Sequence, residues 1–207
     1  MSIQTVGIIG AGTMGNGIAQ ICATNGIRCV MVDISEEAVA RGLATVSASL
    51  DRLVKKEKIS AEDKTAALAL ITGSTRYEDL RDAQLVIEAA TENYELKLKI
   101  LRQIDALVAP DVIIASNTSS ISITKLAAAT QRADRFIGMH FFNPVPLMAL
   151  VEIIRGLQTS DATHAAVQAL SRALGKTPVT VKNAPGFVVN RILVPMINEA
   201  FFVLAEG

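Results

Sequence analysis

Cysteine is nearly absent from the chain: among 207 residues only Cys22 and Cys29 carry a thiol. They fall in what reads as a first helix and a second strand, where small buried thiols are ordinary core residues. The pair has no metal-ligand spacing and forms no disulfide framework, so the expected setting is a reducing, cytoplasmic one with no metal. An excess of one charge is missing too, with 20 Lys+Arg set against 20 Asp+Glu. That balance speaks against nucleic acid and against a membrane surface as partners. Half of the chain is apolar (50%), yet no apolar stretch is uninterrupted for long enough to cross a bilayer. No leader is expected, because the first residues already read as a strand. Internal repeats and low-complexity segments are lacking as well. The length suits one large domain, or one domain and a piece of another.

What is present begins at the N terminus. Ile3, Val6, Ile8 and Ile9 form an apolar run that leads directly into Gly10-Ala11-Gly12-Thr13-Met14-Gly15 and then into an apolar helix from Asn16. Strand, G-x-G-x-x-G, helix is the phosphate-binding turn of a dinucleotide fold. Gly10 permits the tight turn, Gly12 lets a pyrophosphate approach the backbone, and Gly15 allows the helix to pack near the strand. The unpaired N–H groups at the helix start, around Thr13 and Met14, face the anion. A second apolar run, Cys29 to Val32, ends in Asp33. An acidic residue there accepts hydrogen bonds from the adenine-ribose hydroxyls and repels a 2′-phosphate. Ile34 follows and no Arg stands beside it, which favours NAD over NADP.

The remaining pattern alternates. Ser35 caps a long helix with Val39, Leu43, Val46, Leu50 and Leu53 on one face. Ser60 to Asp63 forms a capping box for a second helix through Leu70. Together they make an inserted helical hairpin. Further strands are expected at Ile71–Ser74, from Leu85 on into Thr91-Glu92-Asn93, and at Val112–Ala115. Asn93 caps a helix that buries Ile100, Ile104 and Leu107, and a shorter helix runs through Ala129. Strands at Arg135–Phe142 and Ala149–Ile154 flank the rigid turn Asn143-Pro-Val-Pro-Leu147. So short a connection holds no crossover helix, so these two strands are antiparallel neighbours. A helix over Asp161–Leu174 and a short strand at Val179–Val181 follow. The fold class is α/β, a Rossmann-type, mostly parallel sheet occupying residues 1–184. Pro185-Gly186 then breaks the pattern, and from Phe187 the chain is apolar nearly all round. Such a helix is expected to be buried on several sides. Residues 185–207 therefore read as the incomplete start of a helical C-terminal domain, or as the contact for a partner chain. The alternative is that the helix packs back on the sheet.

Polar residues collect at the carboxyl ends of the parallel strands, where ligands of open α/β sheets lie. They are Asp33, Glu92, and Ser116, Asn117, Thr118 and Ser119. His140 stands in an apolar run, and Glu152 in an equally apolar one. A carboxylate inside a core strand is costly unless paired. A hairpin about the Asn143–Leu147 turn places the two nearly opposite each other. Glu152 would then hold one ring nitrogen and leave the other free as a general acid/base. A buried pair that only rigidifies the hairpin is the plainer reading. His164, in a polar helix start, reads as surface.

Five segments taken together are specific: Gly10 to Gly15, Ser116-Asn-Thr-Ser-Ser120, His140-Phe-Phe-Asn-Pro-Val-Pro146, Leu150-Val-Glu152 and Pro185-Gly-Phe-Val-Val-Asn-Arg191. In this order the chain resembles the L-3-hydroxyacyl-CoA dehydrogenase family, and within it the bacterial 3-hydroxybutyryl-CoA dehydrogenases of fatty-acid metabolism. The resemblance implies that His140 is the catalytic histidine and Glu152 its carboxylate partner. Ser119 and Asn190 match residues that hydrogen-bond the substrate's oxygens. Asp33 matches the adenine-ribose contact. Glu92, Lys97, Asn117 and Asn143 match contacts to the ribose and nicotinamide side of NAD, with Ser119 nearby. Lys56 is a partner for the CoA phosphates. The implied reaction interconverts a (3S)-3-hydroxyacyl-CoA and a 3-oxoacyl-CoA, with NAD exchanging the hydride and His140 the proton. The family continues into a helical domain that forms a homodimer and closes part of the acyl pocket, of which only the first helix is expected here. Two other readings share the glycine turn: an NAD-dependent dehydrogenase of a free 3-hydroxy acid, which would call for a catalytic lysine, and a non-catalytic or truncated NAD-binding module.

Overall fold

Most of the strands are runs of apolar residues without alternation, as expected where helices cover both faces of a sheet. The computed structural model describes residues 3–207. Strand β1 (Thr5–Ile9) is the third strand of an eight-stranded sheet of order β3-β2-β1-β4-β5-β6-β7-β8. It pairs in parallel with β2 (Arg28–Val32) on one side and β4 (Leu85–Glu88) on the other. From β1 the chain steps outward to β2 and β3 (Ile71–Ser74), then returns across β1 to begin β4, β5 (Ile113–Ser116) and β6 (Phe136–Phe141). This reversal beside β1 opens a crevice at the carboxyl ends of the strands. Strand β7 (Leu150–Arg155) runs antiparallel to β6, as the short turn demands, and His140 stands directly opposite Glu152 in the register. Strand β8 (Thr177–Lys182) pairs in parallel with β7 along all six of its residues.

The starts of three helices are set by side-chain caps at the residues the sequence marks. Ser35 accepts from Ala38 N–H at the start of α2 (Glu36–Lys55). Ser60 and Asp63 form a reciprocal capping box on α3 (Ala61–Ala69). Asn93 accepts from Leu96 N–H on α4 (Tyr94–Leu107). One core joins α1 (Thr13–Thr24), α2, α3 and α6 (Asp161–Ala173) to one face of the sheet. The other joins α4 and α5 (Ile123–Ala127) to the opposite face.

Several expectations shift. A 3₁₀ turn at Tyr77–Leu80 stands between β3 and β4, and its Leu80 is fully buried. Helix α4 buries Leu101 with Ile100 and Ile104, whereas Leu107 is only partly covered. Strand β4 ends at Glu88, so Glu92 sits in the loop beyond it. In the last helix, α7 (Val189–Glu206), no residue is buried. Its all-round apolarity predicts burial, yet it does not fold back on the sheet. Only Phe187, just before it, enters the core. Among the described residues no helix is long and apolar enough to cross a membrane.

Candidate active site

The glycine turn is built so that only glycine fits two of its positions. Gly10 has φ of +101°, and a Cβ there would lie 2.7 Å from the Ala89 carbonyl oxygen. A Cβ on Gly15 would lie 1.7 Å from the Gly10 carbonyl oxygen. Gly12 differs, because a Cβ there would meet nothing within 4 Å. Its free side is the open space in front of the α1 N terminus. That terminus has no side-chain cap and no acidic residue in its first turn. Its unpaired N–H groups and the dipole are thus uncompensated and face open space, which fits a diphosphate.

Asp33 follows β2 and is tied to the turn. Its Oδ2 accepts from Ala11 N–H at 2.7 Å and its Oδ1 from Ile34 N–H at 2.7 Å. The carboxylate borders two clefts. One, of about 550 Å³, is lined by Gly12, Thr13 and Arg41 among others. The other, of about 340 Å³, is lined by Gly10, Tyr77, Lys99 and Gln103 among others. Burial is the first cause that pushes the Tyr77 phenol up, with Asp33 and Glu88 adding to it.

A third cleft, of about 400 Å³, adjoins the second through Ala90 and Thr91. It is lined by Met14, Glu92, Lys97, Asn117, Ser119, His140, Asn143 and Asn190, together with Phe141 and Phe142. Of the residues expected at the nicotinamide and substrate end, Glu92, Lys97, Asn117, Ser119, His140, Asn143 and Asn190 are gathered here. Lys56 is not: it is the exposed C-cap of α2 and borders none of the three clefts. Glu92 shapes the loop after β5, accepting from the Thr118 hydroxyl at 2.7 Å and from Ser119 N–H at 2.9 Å. Asn117 is buried, and its Oδ1 accepts from Phe141 N–H on β6.

His140 lies at the end of this cleft, 5% exposed. Its Nδ1 is 2.8 Å from Glu152 Oε2. Among the described residues its Nε2 has no hydrogen-bond partner. Phe142 and Phe187 pack on the ring at centroid distances of 4.5 and 5.7 Å. Glu152 does more than hold the imidazole. Its Oε1 accepts from both Val188 and Val189 N–H at 3.0 Å, capping α7 from another element. Asn190, in the first turn of α7, comes within 3.5 Å of the Ser119 carbonyl oxygen. His164 is partly covered and bonds Thr180 at 2.8 Å, away from the cleft.

Sequence reasoning missed Glu88. It is a fully buried carboxylate paired with Lys97 at 2.5 Å. The signal was available, since Leu85-Val-Ile-Glu88 sets a carboxylate in an apolar run as Leu150-Val-Glu152 does. Phe187 was missed as a wall of the histidine site, and Lys176 as the buried ammonium that pins the turn after β6 by donating to the Val145 and Met148 carbonyls.

A doubly wound sheet, a glycine turn open to a diphosphate and a carboxylate-held histidine at the far end of the crevice define the NAD-dependent dehydrogenases of the α/β class. Comparison with known proteins narrows this. Residues 5–184 match the family described as 3-hydroxyacyl-CoA dehydrogenase, NAD binding domain, and the chain belongs to that family. It is 51% identical over 205 residues to a 3-hydroxybutyryl-CoA dehydrogenase of Bradyrhizobium diazoefficiens, covering 99% of this chain and 70% of that protein. The crystal structure of an (S)-3-hydroxybutyryl-CoA dehydrogenase from Ralstonia eutropha is 74% identical, with a TM-score of 0.97 over 100% of this chain and 73% of that one. A fatty acid oxidation complex subunit alpha from Acinetobacter baylyi is 41% identical over 99% of this chain but only 29% of its own length.

Proposed function

We propose that the chain interconverts (3S)-3-hydroxyacyl-CoA and 3-oxoacyl-CoA, with a short acyl group such as 3-hydroxybutyryl, and that His140 is its general acid/base. The observation that carries this reading is the His140–Glu152 pair at 2.8 Å, with the second ring nitrogen left free beside Ser119 and Asn190 in one cleft. NAD, when bound, accepts or returns the hydride at the substrate's C3. Glu152 fixes the ring through Nδ1, so Nε2 is the nitrogen that takes the proton of the 3-hydroxyl or gives it back. The Phe142 and Phe187 rings shield the imidazole from water. Ser119 and Asn190 are the donors aimed at the oxygen that gains charge as the carbonyl forms or is reduced. Holding these groups around one substrate oxygen supplies the positioning that hydride transfer needs.

The same reading places the cofactor's diphosphate at Gly10, Gly12, Thr13, Met14 and Gly15 and its adenine ribose at Asp33. Its nicotinamide half lies among Glu92, Lys97, Asn117, Ser119 and Asn143. Lys56 meets the CoA phosphates. Residues 1–184 act as the cofactor domain, and 185–207 begin a helical domain for substrate and homodimer contacts. The extent of the family match and the unburied α7 support that division.

The test is NADH oxidation with acetoacetyl-CoA by the chain and by its His140→Ala variant. The variant is expected to lose roughly 10²–10⁴ in rate while still binding NADH. Retained turnover in the variant removes His140 from the role. A parent chain that binds no NADH overturns the cofactor assignment itself.

A further inference from the structure

Glu88, Lys97 and Ser116 form a polar cluster that proton transfer at His140 does not use. Lys97 is 1% exposed at its side chain and Glu88 0%. Glu88 Oε2 lies 2.5 Å from Lys97 Nζ on α4 and accepts from the Ser116 hydroxyl at the end of β5 at 2.8 Å. Its Oε1 accepts from Ala90 N–H at 3.0 Å. Stability alone does not account for such a pair, because two buried charges lose their hydration and apolar residues of similar volume do about as well. Position gives the pair a purpose. Lys97 lines the cleft that holds His140 and Asn117. An ammonium has three donors, and among the described residues Glu88 is the only acceptor bonded to it.

We propose that Glu88 is a positioning residue for the nicotinamide half of the cofactor, acting through Lys97. It fixes the ammonium in the cleft floor with donors to spare for an uncharged, hydroxyl-bearing ligand such as a ribose. It also cancels the ammonium's charge. The floor therefore donates hydrogen bonds without presenting a net positive charge to the nicotinamide ring, which is cationic when oxidised and neutral when reduced. Glu88 thus sets how evenly the cleft holds the two redox forms. The inference rests on the placement of NAD proposed above.

The test is the affinity of Glu88→Gln for NAD+ and for NADH, read by titration without substrate. With Lys97 left as an uncompensated charge, NAD+ is expected to weaken relative to NADH on the order of tenfold, as for unit charges about 10 Å apart at an effective dielectric near 20. A scaffold role alone changes both affinities by the same factor, and that result, or no change in either, overturns the proposal. The charge-free double variant Glu88→Gln/Lys97→Met guards against a misfolded single variant. It is expected to melt near the parent's temperature and to bind both redox forms more weakly, with their affinity ratio restored. Binding as tight as the parent's would show that Lys97 offers the cofactor nothing and would overturn the proposal. A parent chain that binds neither form fails at the cofactor reading, a result distinct from these.

Discussion

Glu152 is the residue on which the two ends of the site depend together. One carboxylate oxygen holds His140 and the other holds the first N–H groups of α7. The N-cap residue of that helix, Val188, supplies no side-chain cap of its own. Glu152→Gln keeps the volume but turns an N–H toward one of these partners. It is expected to lower turnover and to cost about 1–3 kcal/mol, the usual penalty of an unsatisfied buried group. His140→Ala leaves the cap intact. Hydrogen exchange at Val188 and Val189 checks this: it should quicken in Glu152→Gln and not in His140→Ala, and equal protection in both refutes the shared role. The glycine turn offers a second contrast. Gly12→Ala meets no atom within 4 Å and is expected to melt as the parent does while binding NADH more weakly. Gly15→Ala places a methyl 1.7 Å from a carbonyl oxygen and is expected to destabilise the fold. Unchanged NADH affinity in Gly12→Ala would move the diphosphate elsewhere.

At the scale of elements, caps and turns were the most legible features, because each is a local hydrogen-bonding rule. The α3 capping box is an example with a pH signature. The hydrogen bond from Ser60 N–H holds the Asp63 carboxyl below its ordinary value, with the Ser60 hydroxyl adding to it. A carboxylate pKa lowered by folding contributes stability at pH above about 3.8, and that contribution is lost as pH falls through the folded-state value. Asp63→Asn should therefore flatten the acid limb of the melting-temperature profile below pH 4 and leave its slope near neutrality unchanged. An identical acid limb would dismiss the box as a contributor. The antiparallel β6–β7 pair was legible for a similar reason, since a turn of that length admits one topology. What depends on the third dimension was not legible. Leu101 and Leu107 stand on neighbouring faces of α4, and only the position of the sheet decides that Leu101 is the one buried. Strand β8 extends past Val179–Val181 because β7 offers paired backbone along its whole length. Glu88 escaped notice because its partner lies on the next helix, with no hairpin turn to announce the pairing.

At the scale of the molecule, the sheet with its two cores is closed without α7, whereas the site is not. Both cores draw on helices laid against the sheet, and α7 adds no buried residue to either. Yet α7 brings Asn190 to the cleft, and the segment leading into it brings Phe187 to the histidine. The helix is therefore held by its start alone, through Phe187 and the Glu152 cap. Beyond that, Phe201 is 66% exposed and Leu204 76%, among further apolar residues along the same helix. Apolar surface of this kind fits a contact with a further packed surface, such as a second copy of the chain. The chain is accordingly expected to self-associate, with sedimentation that depends on concentration. Phe201→Glu combined with Leu204→Lys should abolish that association. It should leave the melting temperature and NADH affinity where they were, because neither residue touches the cores or the cleft. A melting temperature that drops in the double variant would show that α7 is packed against the domain after all, and a parent chain that sediments as a monomer at every concentration would remove the contact.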